Sequence, residues 1–393
     1  MNPIRTIALI AALVAPVALA AQQPADTTRP APPPAPAPAP TPTVSIPVDF
    51  SGVLYANFQY QGAKGATKSQ NKFDLERAYL TFRMPAGDRA SIRITADVFQ
   101  QQTTGADAFY KGWVVRAKYA YLQYDYLKSG GWTGVARGGL IHNVVIDHIE
   151  QFWPRWISQT AIERSGFFSS ADAGVGTLVT LPNKFGEFYA NVVNGPGYTS
   201  RETDRFKDYA ARLTITPLSG SSNKVIKTFA VSGWTYRGAI ASAFAAGGAG
   251  QVGQIGSSLP RTRAGVFIGV RDPRLSAGFD WATRKDGFET GANTVLSPRA
   301  EVDSTRRLIS GFATVKPFQL LNEQSFPLGL IGRWDRYKPS SGAPGYINTV
   351  IAGLTWDLNK KSALSLDYQE QTPKNGVIAA TTKTYFLHMV ANF

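Results

Sequence analysis

The chain has 393 residues, and its 41 lysines and arginines outnumber its 27 aspartates and glutamates, which gives a formal net charge of +14. Such a basic excess indicates anionic partners, which are nucleic acid, acidic lipid or small anions. The chain contains no cysteine, so a fold held by disulfides and any thiol chemistry are excluded.

The first segment, MNPIRTIALIAALVAPVALAAQQ, reads as a secretory signal peptide over residues 1–20. Arg5 supplies the positive start, an apolar run extends from Ile7 to Leu19, and small residues flank the expected cut after Ala20. A transmembrane anchor is the alternative, but the run is short and Pro16 interrupts it. A nucleic-acid partner is disfavoured, because the chain is predicted to be exported and has neither a nucleic-acid-binding motif nor a lysine-rich tail.

Residues 21–47 form an Ala/Pro-rich linker that cannot make a helix or a strand ladder. Alternating alanine and proline favour an extended polyproline II conformation. The segment therefore predicts a periplasmic spacer, and the alternative is a tether that reaches toward the cell wall.

From residue 48 to 393 the sequence repeats alternating runs of about ten residues that are separated by turn-forming residues. The predicted strands are 48–60, 73–84, 91–101, 114–127, 134–141, 173–182, 185–194, 208–218, 224–238, 261–271, 275–285, 304–317, 326–338, 346–358, 362–372 and 383–393. Every second break is short, as in PAGDRA, KSGGW and NKK, whereas the intervening breaks 142–172 and 239–260 are long. This rhythm predicts an all-β fold, a transmembrane antiparallel barrel of about 16 strands with short periplasmic turns and long external loops.

The two faces of each predicted strand differ in polarity. In SIRITADV, apolar side chains alternate with Arg93, Thr95 and Asp97, and in RAGVFIGVR they alternate with Arg263 and Arg271. A soluble β-sandwich would show the same alternation, but the chain length, the loop rhythm and the signal peptide together favour the barrel in the outer membrane of a Gram-negative-type bacterium.

The final strand, TYFLHMVANF, presents an apolar face from Tyr385 to Phe393 and turns His388 inward beside Asn392. In a barrel this strand must pair with the first strand, and an aromatic residue suits the membrane boundary. Phe393 also resembles the C-terminal signal of outer-membrane barrels, and this resemblance implies recognition by the barrel-assembly machinery.

The strand VDFSGVLYANFQY followed by KFDLERAYLTFRMPAGDRASIRITADV resembles the first hairpins of the phosphate-selective porins, the porin O and P family. The resemblance covers residues 48–101 best, and many sixteen-stranded porins share this layout. It implies a homotrimer whose pores carry a ladder of arginines for small anions such as phosphate, with the third external loop folded inward.

Mid-strand cations should point into the lumen, because an arginine that faces lipid at the bilayer centre costs roughly 2 to 4 kcal/mol. On β-strand parity, Arg116 and Lys118 face inward while Val115, Ala117 and Tyr119 face lipid. The phase of the glycine-rich strand around Arg137 is ambiguous. The candidate anion-binding and pore-lining residues are Arg77, Arg83, Arg93, Arg116, Lys118, Arg137, Arg155, Arg212, Arg271, Arg284 and Arg333.

Residues 141–172 occupy the place where porins have their constriction loop, and Arg155 and Arg164 are the cations of this segment. A metal site at His142, Asp147, His148 and Glu150 is an alternative, but their spacing fits no tight template, so no cofactor or metal is expected. An outer-membrane enzyme of lipase type is a further alternative, and the absence of a G-x-S-x-G motif disfavours it.

The sequence therefore predicts an outer-membrane porin that allows passive, anion-preferring diffusion through an arginine-lined pore. A general porin without selectivity is the alternative, because inward acidic residues such as Asp97, Asp280 and Asp335 accompany the cations.

Overall fold

The computed structural model describes residues 47–62, 68–100, 112–242, 253–254, 258–291, 294–322 and 326–393. The predicted signal peptide and all but the last residue of the predicted linker lie outside these ranges. Among the described residues, no helix has both the length and the apolar composition that a membrane-spanning helix needs.

A single sheet of 17 strands contains every described strand, and one of them, β10, has only two residues, which leaves sixteen long strands. Their bounds are β1 Asp49–Gln61, β2 Asn71–Pro85, β3 Ala90–Gln100, β4 Trp113–Ser129, β5 Trp132–His142, β6 Ala171–Thr180, β7 Gly186–Val193, β8 Asp208–Ile215, β9 Ala230–Ala241, β10 Gly253–Gln254, β11 Ser258–Asp272, β12 Leu275–Thr290, β13 Arg299–Val315, β14 Leu328–Lys338, β15 Tyr346–Asn359, β16 Ser362–Lys374 and β17 Thr382–Asn392. The sixteen long strands confirm the predicted number.

The sheet closes on itself, because β1 pairs antiparallel with β17 from Val53↔Asn392 to Gln61↔Thr384. Beyond the end of β17, the backbone of Phe393 exchanges two hydrogen bonds with Gly52, at 2.9 and 3.0 Å. A Cβ atom on Gly52 would lie 2.2 Å from Cζ of Phe393, so only glycine leaves room for the ring. Closure thus removes the free sheet edges that would otherwise pair with another chain.

Connections at the two ends of the barrel differ. At the short-turn end, β4 and β5 are joined by Gly130 and Gly131, whose φ angles of 56° and 82° suit a tight hairpin of strands with right-handed twist. One connection at this end is longer than expected, since β9 begins at Ala230 and not at residue 224. The predicted strand start was wrong because residues 226–228 form a 3₁₀ turn. At the start of this turn, the backbone N–H groups of Val225 and Ile226 donate to Asn223 Oδ1.

The outer face of the barrel is apolar. Val115, Leu366 and Leu387 expose 68%, 62% and 48% of their surfaces, as expected for side chains that meet lipid. Aromatic side chains gather at both rims: Phe50, Phe82 and Phe393 contact one another at the short-turn end, and Tyr60, Tyr385 and Tyr368 do so at the long-loop end. Two aromatic rims around an apolar band are the pattern of a barrel that spans a membrane.

The core of the molecule lies inside the barrel. Residues 143–170, the connection between β5 and β6, fold into the lumen and are called the inward loop below. The loop contains the short helices α1 Ile146–Ile149 and α2 Ala161–Arg164, and Thr160 accepts a hydrogen bond from the N–H of Glu163 at the start of α2. Its apolar side chains pack on inward residues of β7–β9 and β11–β15.

Candidate functional site

The inward loop is held along one side of the lumen by aromatic packing. Trp153, with only 1% of its surface exposed, packs edge-on against Phe312 of β13 at a ring distance of 5.3 Å. Phe152 packs on Phe267 of β11 at 4.8 Å, and Phe168 packs on Trp234 of β9 at 5.3 Å. Burying such large side chains on the wall contributes several kcal/mol, so the loop is a fixed part of the channel.

Arginines of the wall also bind the polar backbone of the loop. Arg212 donates to the carbonyl of Val144 at 2.5 Å, and Arg333 donates to the carbonyl of Gln159 at 2.5 Å. Arg263 donates likewise to the carbonyl of Phe167, and Arg284 to the carbonyl of Gly166. Arg271 donates to a side chain of the loop, at Oε1 of Gln151. Because an irregular segment leaves many carbonyls without partners, these charged donors compensate for the burial of its backbone.

Arg155 connects the loop to the opposite wall. Its guanidinium lies 3.0 Å from Glu76 of β2, 3.5 Å from Glu150 and 3.8 Å from Glu163, and the side chain is only 7% exposed. Burial raises the pKa of Glu150; the nearby Lys118 lowers it, Glu163 raises it and Arg155 lowers it. The charged cluster therefore attaches the loop to β2, a strand that the aromatic packing does not contact.

A second set of cations stands on β2, β3, β4 and β5 and is called the basic wall, comprising Arg77, Arg83, Arg93, Arg116, Lys118 and Arg137. Arg77 and Arg116 both lie 3.0 Å from the fully buried carboxylate of Asp97. Arg116 also covers the ring of Phe99 at 3.8 Å and donates to the hydroxyl of Tyr198. Two cations thus share one anion, and one positive charge is left over at this point.

Lys118 has no hydrogen bond or ion pair with any residue that the structure describes, although its side chain is 5% exposed. Its ammonium lies 4.2 Å from the ring centre of Tyr79 and 5.4 Å from that of Tyr119. A register shift opposite Thr95 leaves Lys118 unpaired in the ladder and turns Tyr119 inward. The prediction that Tyr119 faces lipid was wrong because this β-bulge changes the alternation.

The remaining cations of the basic wall have weaker or neutral partners. Arg93 lies 3.1 Å from Nε2 of His142, and Arg137 donates to Gln123 at 3.0 Å. Arg83, which is about half exposed, lies 3.8 Å from an exposed Asp49. None of these three guanidinium groups is neutralised by a buried carboxylate of the described residues.

The structure divides the predicted site residues into two sets. One set faces the lumen from the basic wall, and a second set of Arg212, Arg271, Arg284 and Arg333 holds the inward loop; Arg155 links the two. The sequence reasoning missed Arg263 as a member of the second set, although RAGVFIGVR already placed it on the inward face. The residues of the alternative metal site separate, since His142 pairs with Asp147 whereas His148 points to Ser232 and Glu187.

In the described part of the chain, no cluster of three or more His, Asp or Glu side chains could hold a metal ion. His388 is buried against Asp367 at 3.5 Å, as its inward parity predicted. What the lumen offers chemically is a row of cations on one side and the acidic edge of the loop, Asp147, Glu150 and Glu163, on the other.

Neither a protein-family profile nor a curated protein matches the sequence. Solved barrels do match the fold. An anion-selective porin from Comamonas acidovorans is 9% identical, with a TM-score of 0.60 over 89% of this chain and 100% of that one. OmpF of Salmonella typhi, solved with daunomycin, is 12% identical, with a TM-score of 0.59 over 88% of this chain and 97% of that one.

OmpT of Vibrio cholerae in its trimer form is 11% identical, with a TM-score of 0.55 over 89% of this chain and 100% of that one. At such low identity these similarities show the fold. The chain has the sixteen-stranded barrel found in outer-membrane porins.

Proposed function

We propose that the protein is a porin, integral to the outer membrane, that allows small anions to diffuse passively through its lumen. The observation that carries this proposal is the imbalance of charge on the basic wall. Six cations face the lumen there, Arg77 and Arg116 share the single carboxylate of Asp97, and Lys118 has no partner among the described residues.

The physical basis is the sum of these potentials inside a channel with low-dielectric walls, which raises the local concentration of anions. Guanidinium groups suit the task, because they stay charged and offer a planar fork to an oxyanion. The anion selectivity of the Comamonas porin agrees with this proposal, and the trimer form of OmpT agrees with a homotrimer.

The finer parts of the proposal are preference for phosphate or polyphosphate, as the resemblance to the porin O and P family implies, and recognition of Phe393 by the barrel-assembly machinery. The apolar outer face and aromatic rims support contact with outer-membrane lipid. A non-enzymatic channel is the function we infer. A lipase-like enzyme would need its serine and histidine on the outward face, whereas Ser232 and His148, which share a hydrogen bond, are both buried inside the barrel.

A general porin is the second candidate, and a specific observation favours it. The inward carboxylates Asp280 and Asp335 are buried on the same face as the arginines, and Asp335 binds Arg333 at 2.6 Å. Paired charges of both signs cancel at a distance, so the lumen opposite the basic wall adds little net field.

Reversal potentials in a planar lipid bilayer with asymmetric potassium chloride separate the two candidates. We expect anion selectivity for the unchanged protein, a smaller preference for Lys118→Met, and a reduced or reversed preference for Arg116→Glu combined with Lys118→Glu. Lys360→Glu with Lys361→Glu is the matched control, since it makes the same charge change on an exposed turn. Cation selectivity of the unchanged protein, or selectivity that survives the double exchange in the wall, would leave the general porin.

A further inference from the structure

A cavity of about 440 Å³ lies beneath the inward loop at the short-turn end of the barrel. Its roof is formed by His148, Gln151 and Phe152 of the loop, and its walls come from inward residues of β6 to β9 and β11. The basic wall takes no part in it. The cavity therefore lies in the same lumen as the path along β2 to β5, but other strands line it.

Three cations line this cavity, namely Lys184, Lys227 and Arg271. The two lysines are exposed, and neither ammonium group has a hydrogen bond or ion pair to a described residue. The one carboxylate in the lining, Glu187, lies 2.7 Å from the guanidinium of Arg212, which offsets its charge. The net field in the cavity is positive.

His148 belongs to a chain of buried hydrogen bonds. Arg212 can only donate, so Oγ1 of Thr214 accepts from it, and the hydroxyl of Ser232 lies 2.9 Å from Thr214 and 2.8 Å from Nε2 of His148. Burial, together with Arg212 and Arg271, holds the pKa of His148 well below its ordinary value, so this ring adds no charge to the roof of the cavity.

Nδ1 of His148 has no hydrogen-bond partner among the described residues, but it is buried out of reach of the cavity, so a solute there would not contact it. Glu187 lies 3.7 Å from this nitrogen, beyond hydrogen-bond distance. The hydroxyls of Thr180, Thr216 and Ser219 also line the cavity, and none is bonded to another described side chain.

We propose that this cavity binds a small hydroxylated oxyanion, of the size and chemistry of a sugar phosphate or sugar acid. Its anionic group is held by Lys184 and Lys227, and its hydroxyls are held by the threonine and serine hydroxyls of the lining. The volume exceeds that of an inorganic ion, and the neutral donors would remain idle with chloride. Under the proposed porin function, the short-turn end faces the periplasm, so the site would receive solute on that side.

The experiment uses the full-length protein in a planar bilayer and measures block of the chloride current by glucose 6-phosphate added to each side in turn. We expect block from one side only, with gluconate acting similarly, inorganic phosphate more weakly, and neutral glucose having no effect. Lys184→Gln with Lys227→Gln should weaken the block about tenfold, because each exposed cation contributes a factor of about three. Lys360→Gln with Lys361→Gln, on the β15–β16 turn at the same end of the barrel, should leave the block unchanged.

The proposal is overturned if the Lys184 and Lys227 exchange leaves the block intact, if the control exchange weakens it equally, or if glucose blocks as well as its phosphate. Equal block by inorganic phosphate would overturn the part assigned to the hydroxyls of the lining. The outcome is independent of the proposed anion preference: a cation-selective reversal potential with lysine-dependent block would reject the anion-preferring pore and retain this site.

Discussion

Replacing Arg155 by glutamine removes the cation that attaches the inward loop to β2. The change leaves Glu76, Glu150 and Glu163 close together without their shared partner, and Glu150 is buried. Removing one partner of a buried ion pair costs about 3 to 5 kcal/mol. Because the three carboxylates remain 14 to 29% exposed, we take the lower end, about 3 kcal/mol.

A loss of about 3 kcal/mol shifts the equilibrium constant between the attached and detached states of the loop segment around Arg155 by roughly two powers of ten. The aromatic packing of Trp153 and Phe168 is untouched, so the barrel stays folded while this segment moves. We therefore expect Arg155→Gln to raise single-channel conductance and to add rapid current fluctuations in a planar bilayer.

Glu76→Gln provides a graded comparison, because it removes only the link to β2 and leaves Arg155 with its two partners in the loop. Its fluctuations should be weaker than those of Arg155→Gln. Arg83→Gln makes the same chemical change at an exposed lumen position whose only carboxylate neighbour among the described residues lies 3.8 Å away, and it should add no current fluctuations. If Arg155→Gln shows the same conductance and noise as Arg83→Gln, the cluster does not hold the loop and the reasoning fails.

Three other perturbations test different parts of the structure. Gly52→Val places a side chain where the ring of Phe393 lies, so less protein should show the mobility of the folded barrel on unheated gels. Gly233→Ala is the control, because no atom lies within 4 Å of the added methyl group, and it should fold normally. Because burial raises the pKa of Glu150, this carboxylate should be neutralised at a higher pH than a free glutamate. Anion selectivity measured by reversal potential should therefore rise as the pH falls, starting above the pH at which a free glutamate is protonated; a flat or falling profile would contradict this. Deleting residues 24–42 should leave heat-modifiable barrel in the membrane fraction, while deleting Phe393 should reduce it; equal yields of the two variants would refute the assigned role of Phe393.

Alternation of side chains was enough to predict the barrel and its closure, because each strand must separate a lipid face from a lumen face. It failed where local backbone geometry breaks the period of two. The bulge at Lys118 turned Tyr119 inward, and the 3₁₀ turn at 226–228 delayed the start of β9. Neither feature has a signature in hydrophobicity alone.

The site was predictable in part. Parity placed the arginines on the inward face, but it could not distinguish a guanidinium that meets solute from one that meets the loop. Arg212 and Arg333 bind loop carbonyls that are 68 and 174 residues away along the chain, and no local pattern encodes such partners. The cavity at the short-turn end likewise depends on how α1 sits over β7 and β9, which only the folded lumen reveals.

The attachment of the inward loop also constrains the order in which the protein can fold. Its backbone is bound by Arg212 of β8, Arg333 of β14 and Gln369 of β16, and the last of these contacts joins residues 212 positions apart in sequence. Contacts of such long range form only after the intervening chain has been organised. We therefore expect the loop to dock late, after the wall has formed. Until the loop docks, the lumen of a newly closed barrel is wider and its permeability is not yet restricted.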